Sequence, residues 1–256
     1  MRRLLGQIPV EWIGDEERIA KGIVIFLHGG GFTIRAPRTD RRFCFDLKRR
    51  LGLSIVLVPY RLAPEYPFPH GLDDCYQVYA ALIDAGVSPR NIILIGHSAG
   101  ANLALAVLMR ARQNGIPQPA GAALLSTPTD MTGQSPSITA NEPFDVMQGP
   151  NIWPWVREKY LRGGASDHPE VSPLFASWAG LAPLSLHVSD SEVLLDDSRR
   201  ALAQAQAEGL EVDLKIWEKV PHNFYFLDFL PEHEEFQRLL EEFVKNAIHG
   251  KTLVPL

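Results

Sequence analysis

Six short apolar runs recur along the chain, at residues 23–27, 54–58, 91–95, 121–125, 184–188 and 212–217. Ile, Val and Leu dominate them, and little polar alternation interrupts them. Such runs suit strands of a parallel sheet covered on both faces, and their spacing is too long for hairpins. Helical patterns fall between them. Residues 75–85 place Cys75, Val78, Tyr79 and Leu82 at helical spacing, and residues 99–112 are rich in the good helix formers Ala and Leu. Residues 198–208 are rich in Ala and Gln, with Gly209 where a helix stop belongs. Near the end, Phe236, Leu239, Leu240, Phe243, Val244 and Ala247 form a stripe at i, i+3, i+4, i+7, i+8 and i+11, with Glu and Lys on the other face. Alternation of strand and helix along the whole chain predicts an α/β, doubly wound, mostly parallel sheet.

One stretch breaks the rhythm. Residues 127–182 hold seven prolines, several Gly and Ser, and a single short helix candidate at 152–161 with Trp153, Trp155, Val156 and Tyr160. A bare loop of that length does not belong inside a compact domain. The segment is therefore expected to be an insertion over the C-terminal edge of the sheet, and residues 1–256 are read as one domain carrying it.

Composition changes this picture little. The 256 residues are 46% hydrophobic and 21% charged, which excludes general disorder. A net charge of −5 is not that of a nucleic-acid binder. Residues 1–50 carry 11 Lys/Arg against 6 Asp/Glu, and the excess lies in Arg35, Arg38, Arg41, Arg42, Lys48, Arg49 and Arg50. It reads as a solvated helix face, with an anion site as the alternative. Cys44 and Cys75 give neither a disulfide framework nor zinc spacing. No run approaches the roughly 18 apolar residues of a membrane span, and no signal-peptide core follows Met1. The expectation is a soluble, cytoplasmic protein.

The chemistry lies in the turns after the strands. Gly96-His97-Ser98-Ala99-Gly100 follows the third run, at 91–95, and opens a helix, the context that a G-x-S-x-G nucleophile turn requires. There the serine hydroxyl is exposed at a helix N-terminus. His28-Gly29-Gly30-Gly31 ends the first run, and its glycines let backbone N–H groups approach an oxyanion, with Ala99 N–H as a further donor. The G-x-G-x-x-G and Walker phosphate patterns are absent. Of eight histidines, His222 follows the last strand, where the base of a serine nucleophile belongs. His97 is adjacent to Ser98, but a sharp turn directs neighbouring side chains away from it, and His28 is read as orienting its loop. The acid belongs after the strand at 184–188, where Asp190, Glu192, Asp196 and Asp197 compete. Spacing favours Asp190 or Glu192, whereas Asp196 and Asp197 open a helix and suit its dipole.

Taken together, His28–Phe32, Tyr60-Arg61-Leu62-Ala63-Pro64-Glu65, Pro67-Phe68-Pro69, the Ser98 pentapeptide, Glu192–Asp197 and Pro221-His222-Asn223-Phe224 resemble the hormone-sensitive-lipase-like family of bacterial carboxylesterases, of the α/β-hydrolase fold. Similarity runs from about Pro9 to the C-terminal helix. The resemblance implies Glu192 as the acid, because Glu192 and Asp196 fit the family's acid-to-helix register and Asp190 does not. It implies an oxyanion hole of Gly29, Gly30, Gly31 and Ala99, scaffold roles for Arg61 and Glu65, short acyl substrates, and a homodimer. His97 departs from the Asp or Thr common at its position. Relatives carry cap helices before the first strands. Here 27 residues precede His28 and residues 8–13 resemble an edge strand, so that half of the cap is expected to be missing.

The implied reaction is hydrolysis of short carboxylic esters through an acyl-enzyme, with Ser98, Glu192 and His222 as triad and no metal or organic cofactor. Phe32 and Leu194 are the candidate substrate-pocket residues, with Phe144, Trp153 and Trp155 as further lining or core. Two other readings share the fold: a peptidase or amide hydrolase, which the glycine triplet and the Tyr60–Glu65 block fit less well, and a non-catalytic small-molecule receptor, against which His222 argues. A small-molecule ester is the expected partner, with no nucleic acid and no membrane.

Overall fold

A computed structural model of the protein describes residues 1–15, 19, 21–149 and 152–252. Eight strands join in one sheet: β1 (Arg2–Leu5), β2 (Ile8–Ile13), β3 (Ile23–Leu27), β4 (Ser54–Val58), β5 (Ile92–His97), β6 (Gly121–Leu125), β7 (Leu184–Ser189) and β8 (Val212–Trp217), in the order β1-β2-β4-β3-β5-β6-β7-β8. The β1–β2 and β2–β4 pairs are antiparallel and all others parallel. The six apolar runs are β3 to β8. The strand at 8–13 is present, and β1, which carries two arginines in four residues, has no apolar signature to announce it.

The central strands are buried on both faces because alternate residues feed separate cores. Ile23, Ile25 and Leu27 join one cluster, and Val24 and Phe26 the other; Val56 and Val58 oppose Ile55 and Leu57 in the same way. The larger core lies under α2 (His70–Asp84) and α3 (Ala99–Gln113), and the smaller under α1 (Pro37–Leu51) and the C-terminal helix Glu232–Ile248. Cys44 and Cys75 are free and buried on opposite sides of the sheet.

The basic segment is α1. Pro37 starts it and Gly52, in the left-handed conformation, ends it by donating to Lys48 O. Most cations in and just before it face carboxylates: Arg35 and Arg41 pair with Glu11, Arg42 with Asp228, and Arg49 and Arg50 with Asp46. That is a solvated, ion-paired face, and it leaves little for an anion.

The insertion after β6 is not bare. It contains α4 (Ser137–Ala140) and α5 (Ile152–Val156), which runs on as a wider turn over Arg157–Leu161. Trp153, Val156, Tyr160, Val171 and Trp178 bury in the larger core. Buried Asn102 of α3 donates to the carbonyls of Pro128 and Val171, fixing both ends of the insertion to the helix that follows Ser98. Beyond it, α6 (Leu195–Ala207) follows β7, and α7 is the C-terminal helix at Glu232–Ile248.

Candidate active site

β5 delivers Ser98 into α3 through a turn that tolerates little else. Ser98 has φ 52° and ψ −123°, a conformation that L residues avoid. A Cβ on Gly96 would lie 2.3 Å from Gly100 O, and one on Gly100 would lie 2.1 Å from Leu27 O. Both flanking glycines are therefore required by close backbone approach. Ser98 N–H donates to Leu125 O at 2.7 Å, and Ser98 O accepts from Ala101 and Asn102. The Ala99 N–H, at the first turn of α3, has no acceptor within the helix.

Three loops converge on that hydroxyl. His222 Nε2 lies 3.2 Å from Ser98 Oγ, and its Nδ1 lies 2.6 Å from Glu192 Oε2. Glu192 is fully buried, and its other oxygen accepts from Ser126 Oγ at 2.9 Å and Ser189 N–H at 2.8 Å. A buried carboxylate fixed on one oxygen by two donors uses the other to hold the imidazole's Nδ1–H, leaving Nε2 as the acceptor facing Ser98. The competing acids are occupied elsewhere. Asp190 accepts from Lys219 N–H, Asp196 from Ser137 N–H, and Asp197 from the Thr129 and Asp130 N–H groups and Ser135 Oγ. Burial raises the Asp197 carboxyl to about 6 against those hydrogen bonds.

The glycine loop needs one correction. The Gly29 N–H, expected to join the oxyanion donors, donates instead to His97 Nε2 at 2.7 Å. A donor spent on a buried imidazole is not free for a developing oxyanion. Gly30 and Gly31, with φ of 107° and 57°, line the cavity beside Ser98 and Ala99. His28 stacks on Tyr60 with centroids 4.2 Å apart, and Tyr60 donates to His28 O. Burial pushes the His28 imidazole down to about 4, so it stays neutral and orients the loop. Arg61 forks onto buried Asp74, a scaffold contact.

The cavity measures about 210 Å³. Phe32, Leu194, Trp153 and Trp155 line it. Phe144 does not: it remains 66% exposed, outside the lining, in the turn after Asn141. Pro128, Met131, Met147, Gln148, Ile152 and Val156 from the insertion and Ile34 from the glycine loop also line it, and the sequence marked none of them as pocket residues. Gln148 Nε2 reaches His222 Nε2 at 3.1 Å, and Asp145 fixes it by accepting the Gln148 N–H while its other oxygen accepts from Val193 N–H beside Glu192. No local pattern marks a glutamine in a proline-rich insertion as a neighbour of a histidine 74 residues away.

A buried serine–histidine–carboxylate chain at the C-terminal edge of a doubly wound sheet defines a class, the α/β hydrolases. A model of the alpha/beta hydrolase fold family matches residues 24–226, and the chain belongs to that family. Its relatives narrow the class to esterases of the bacterial hormone-sensitive-lipase type. The chain is 34% identical over 226 residues to an esterase of Acinetobacter venetianus, covering 88% of this chain and 75% of that one. It is 30% identical over 244 residues to an acetyl-hydrolase of Streptomyces hygroscopicus, covering 95% and 81%. The crystal structure of an esterase from the bacterial hormone-sensitive lipase family superposes with a TM-score of 0.92 at 34% identity, covering 97% of this chain and 84% of that one. The chain is a carboxylesterase of this kind, and it hydrolyses esters. Among the described residues no helix is long and apolar enough to cross a membrane.

Proposed function

We propose that the ester is cleaved through an acyl-enzyme formed on Ser98. The observation that carries this reading is the continuous hydrogen-bonded line from Ser98 Oγ through His222 to Glu192. His222 Nε2 takes the Ser98 proton as Oγ attacks the ester carbonyl. The imidazolium is stabilised by Glu192, which also keeps the Nδ1–H tautomer. The carbonyl oxygen becomes an oxyanion held by the N–H groups of Gly30, Gly31 and Ala99. His222 then protonates the departing alcohol, and a water activated by the same nitrogen hydrolyses the acyl group. The insertion at 127–182 acts as a partial cap whose side chains wall the acyl pocket, and the small cavity suits short acyl chains. The acetyl-hydrolase relative supports this, as does a solved esterase soaked with p-nitrophenyl butyrate that is 34% identical with a TM-score of 0.91.

A fluorophosphonate is expected to label the folded protein at Ser98, and Ser98→Ala is expected to abolish both labelling and ester turnover. Failure to label intact wild-type protein, or labelling at another residue, overturns the reading.

A further inference from the structure

We propose that His97 is a positioning residue that ties the oxyanion loop to the loop of the catalytic histidine, through its two ring nitrogens. The inference rests on the site reading above and concerns a side chain which that mechanism does not use.

His97 precedes Ser98, but its side chain is directed to the other side of the turn. It is 6% exposed, stacks on Phe26 at 5.8 Å, and meets the edges of Phe226 and Tyr225 at 4.8 and 5.9 Å. Its polar contacts run in two directions. Nε2 accepts from Gly29 N–H at 2.7 Å, and Nδ1 faces Asn223 Oδ1 at 3.3 Å. An imidazole nitrogen that accepts is unprotonated, so the neutral ring carries its proton on Nδ1 and donates it to Asn223. Asn223 Oδ1 is held from its other side by Tyr225 OH at 2.7 Å.

The two partners are placed where they matter. Gly29 directly precedes Gly30 and Gly31, and Asn223, with φ 66°, directly follows His222. The contact with Gly29 is possible because residue 29 lacks a side chain, since a Cβ there would lie 2.6 Å from His97 Cε1 and Nδ1. One ring therefore spans from the oxyanion donors to the general base, and it is itself anchored at the nucleophile turn. A protonated ring would present Nε2–H to Gly29 N–H and break the link. Burial lowers the His97 pKa and outweighs the opposing pull of Asp40, whose carboxylate lies 3.8 Å from Nε2.

Oxyanion donors and base act mainly in the transition state, so their misalignment lowers kcat more than it raises KM. His97→Phe keeps a ring of similar shape against Phe26 and Phe226 and removes both polar contacts. It is expected to lower kcat for p-nitrophenyl butyrate by roughly 10²-fold, the scale of a misplacement of about 1 Å, with KM within about twofold. His97→Gln, whose amide oxygen can accept from Gly29 N–H, is expected to recover a large part of the loss, with the same melting temperature as His97→Phe. Imidazole ¹⁵N NMR of the wild type is expected to show the Nδ1–H tautomer for His97, and this reads the link without activity. Wild-type kcat in His97→Phe, equal losses in the two variants, or an Nε2–H tautomer would overturn the proposal. Absence of Ser98 labelling in the wild type would instead overturn the acyl-enzyme reading and leave the tautomer result standing.

Discussion

His222 Nε2 has one lone pair in the ring plane, and two groups approach it. Ser98 Oγ lies at 3.2 Å and the Gln148 amide nitrogen at 3.1 Å. Both are donors toward the neutral ring, so they compete for one acceptor. A hydrogen bond is worth about 1 kcal/mol net, close to fivefold in a rate. Gln148→Met conserves length and volume and removes the competing donor. Ser98 in that variant is expected to react with a fluorophosphonate about 2- to 5-fold faster than in the wild type, measured as a second-order rate constant. A slower reaction would show that Gln148 supports the imidazolium rather than restraining the base.

The elements divide the work. β3 and β5 end in the glycine loop and the serine turn, β7 and β8 end in the acid and histidine loops, and parallel pairing brings all four ends to one edge. The insertion supplies the far wall through Met147, Ile152, Trp153, Trp155 and Val156. At about 210 Å³ the pocket, which is open to solvent on one side, falls below the usual range for drug-sized ligands. Across p-nitrophenyl esters from acetate to palmitate, kcat/KM is expected to peak at acetate or butyrate and fall with longer chains. A maximum at palmitate would mean that α5 and its flanking loops move away from Phe32 and Leu194 when substrate binds.

The whole molecule carries a pH dependence of its own. His187 is buried between β8 and α7, where it accepts from Trp217 Nε1. Burial, aided by the Lys215 charge, pushes its imidazole down to about 3. An unfolded histidine takes a proton near pH 6.5. Between 6.5 and about 3 the unfolded chain binds a proton that the native protein refuses, so stability falls as pH falls through that window. His28 acts in the same direction down to about 4. Asp213, held near 6 by burial, opposes them by binding its proton first in the native state. His187→Leu is expected to melt lower at pH 7, having left the Trp217 Nε1–H without its buried acceptor, but to lose less melting temperature between pH 7 and pH 4.5. Calorimetry across that range checks it, and parallel curves for variant and wild type would rule it out.

What could be read without the fold follows from local chemistry. Buried parallel strands are continuous apolar runs, and a nucleophile turn needs small residues where backbones touch, so β3 to β8, Ser98 and the glycine loop are legible along the chain. β1 was not, because a two-faced edge strand buries too little to need a pattern. His222 was legible from its place after the last strand. The acid was narrowed by spacing to two of four carboxylates and by the family register to Glu192. Only the tertiary structure shows that Asp190, Asp196 and Asp197 serve backbone N–H groups far from them in sequence, while Glu192 reaches His222. The spending of the Gly29 N–H on His97, the reach of Gln148 to His222 and the outward placement of Phe144 were likewise decided in three dimensions. Each depends on which distant groups a packed sheet and insertion bring within about 3 Å, and hydrogen-bond partners at that range leave no periodic trace in the sequence.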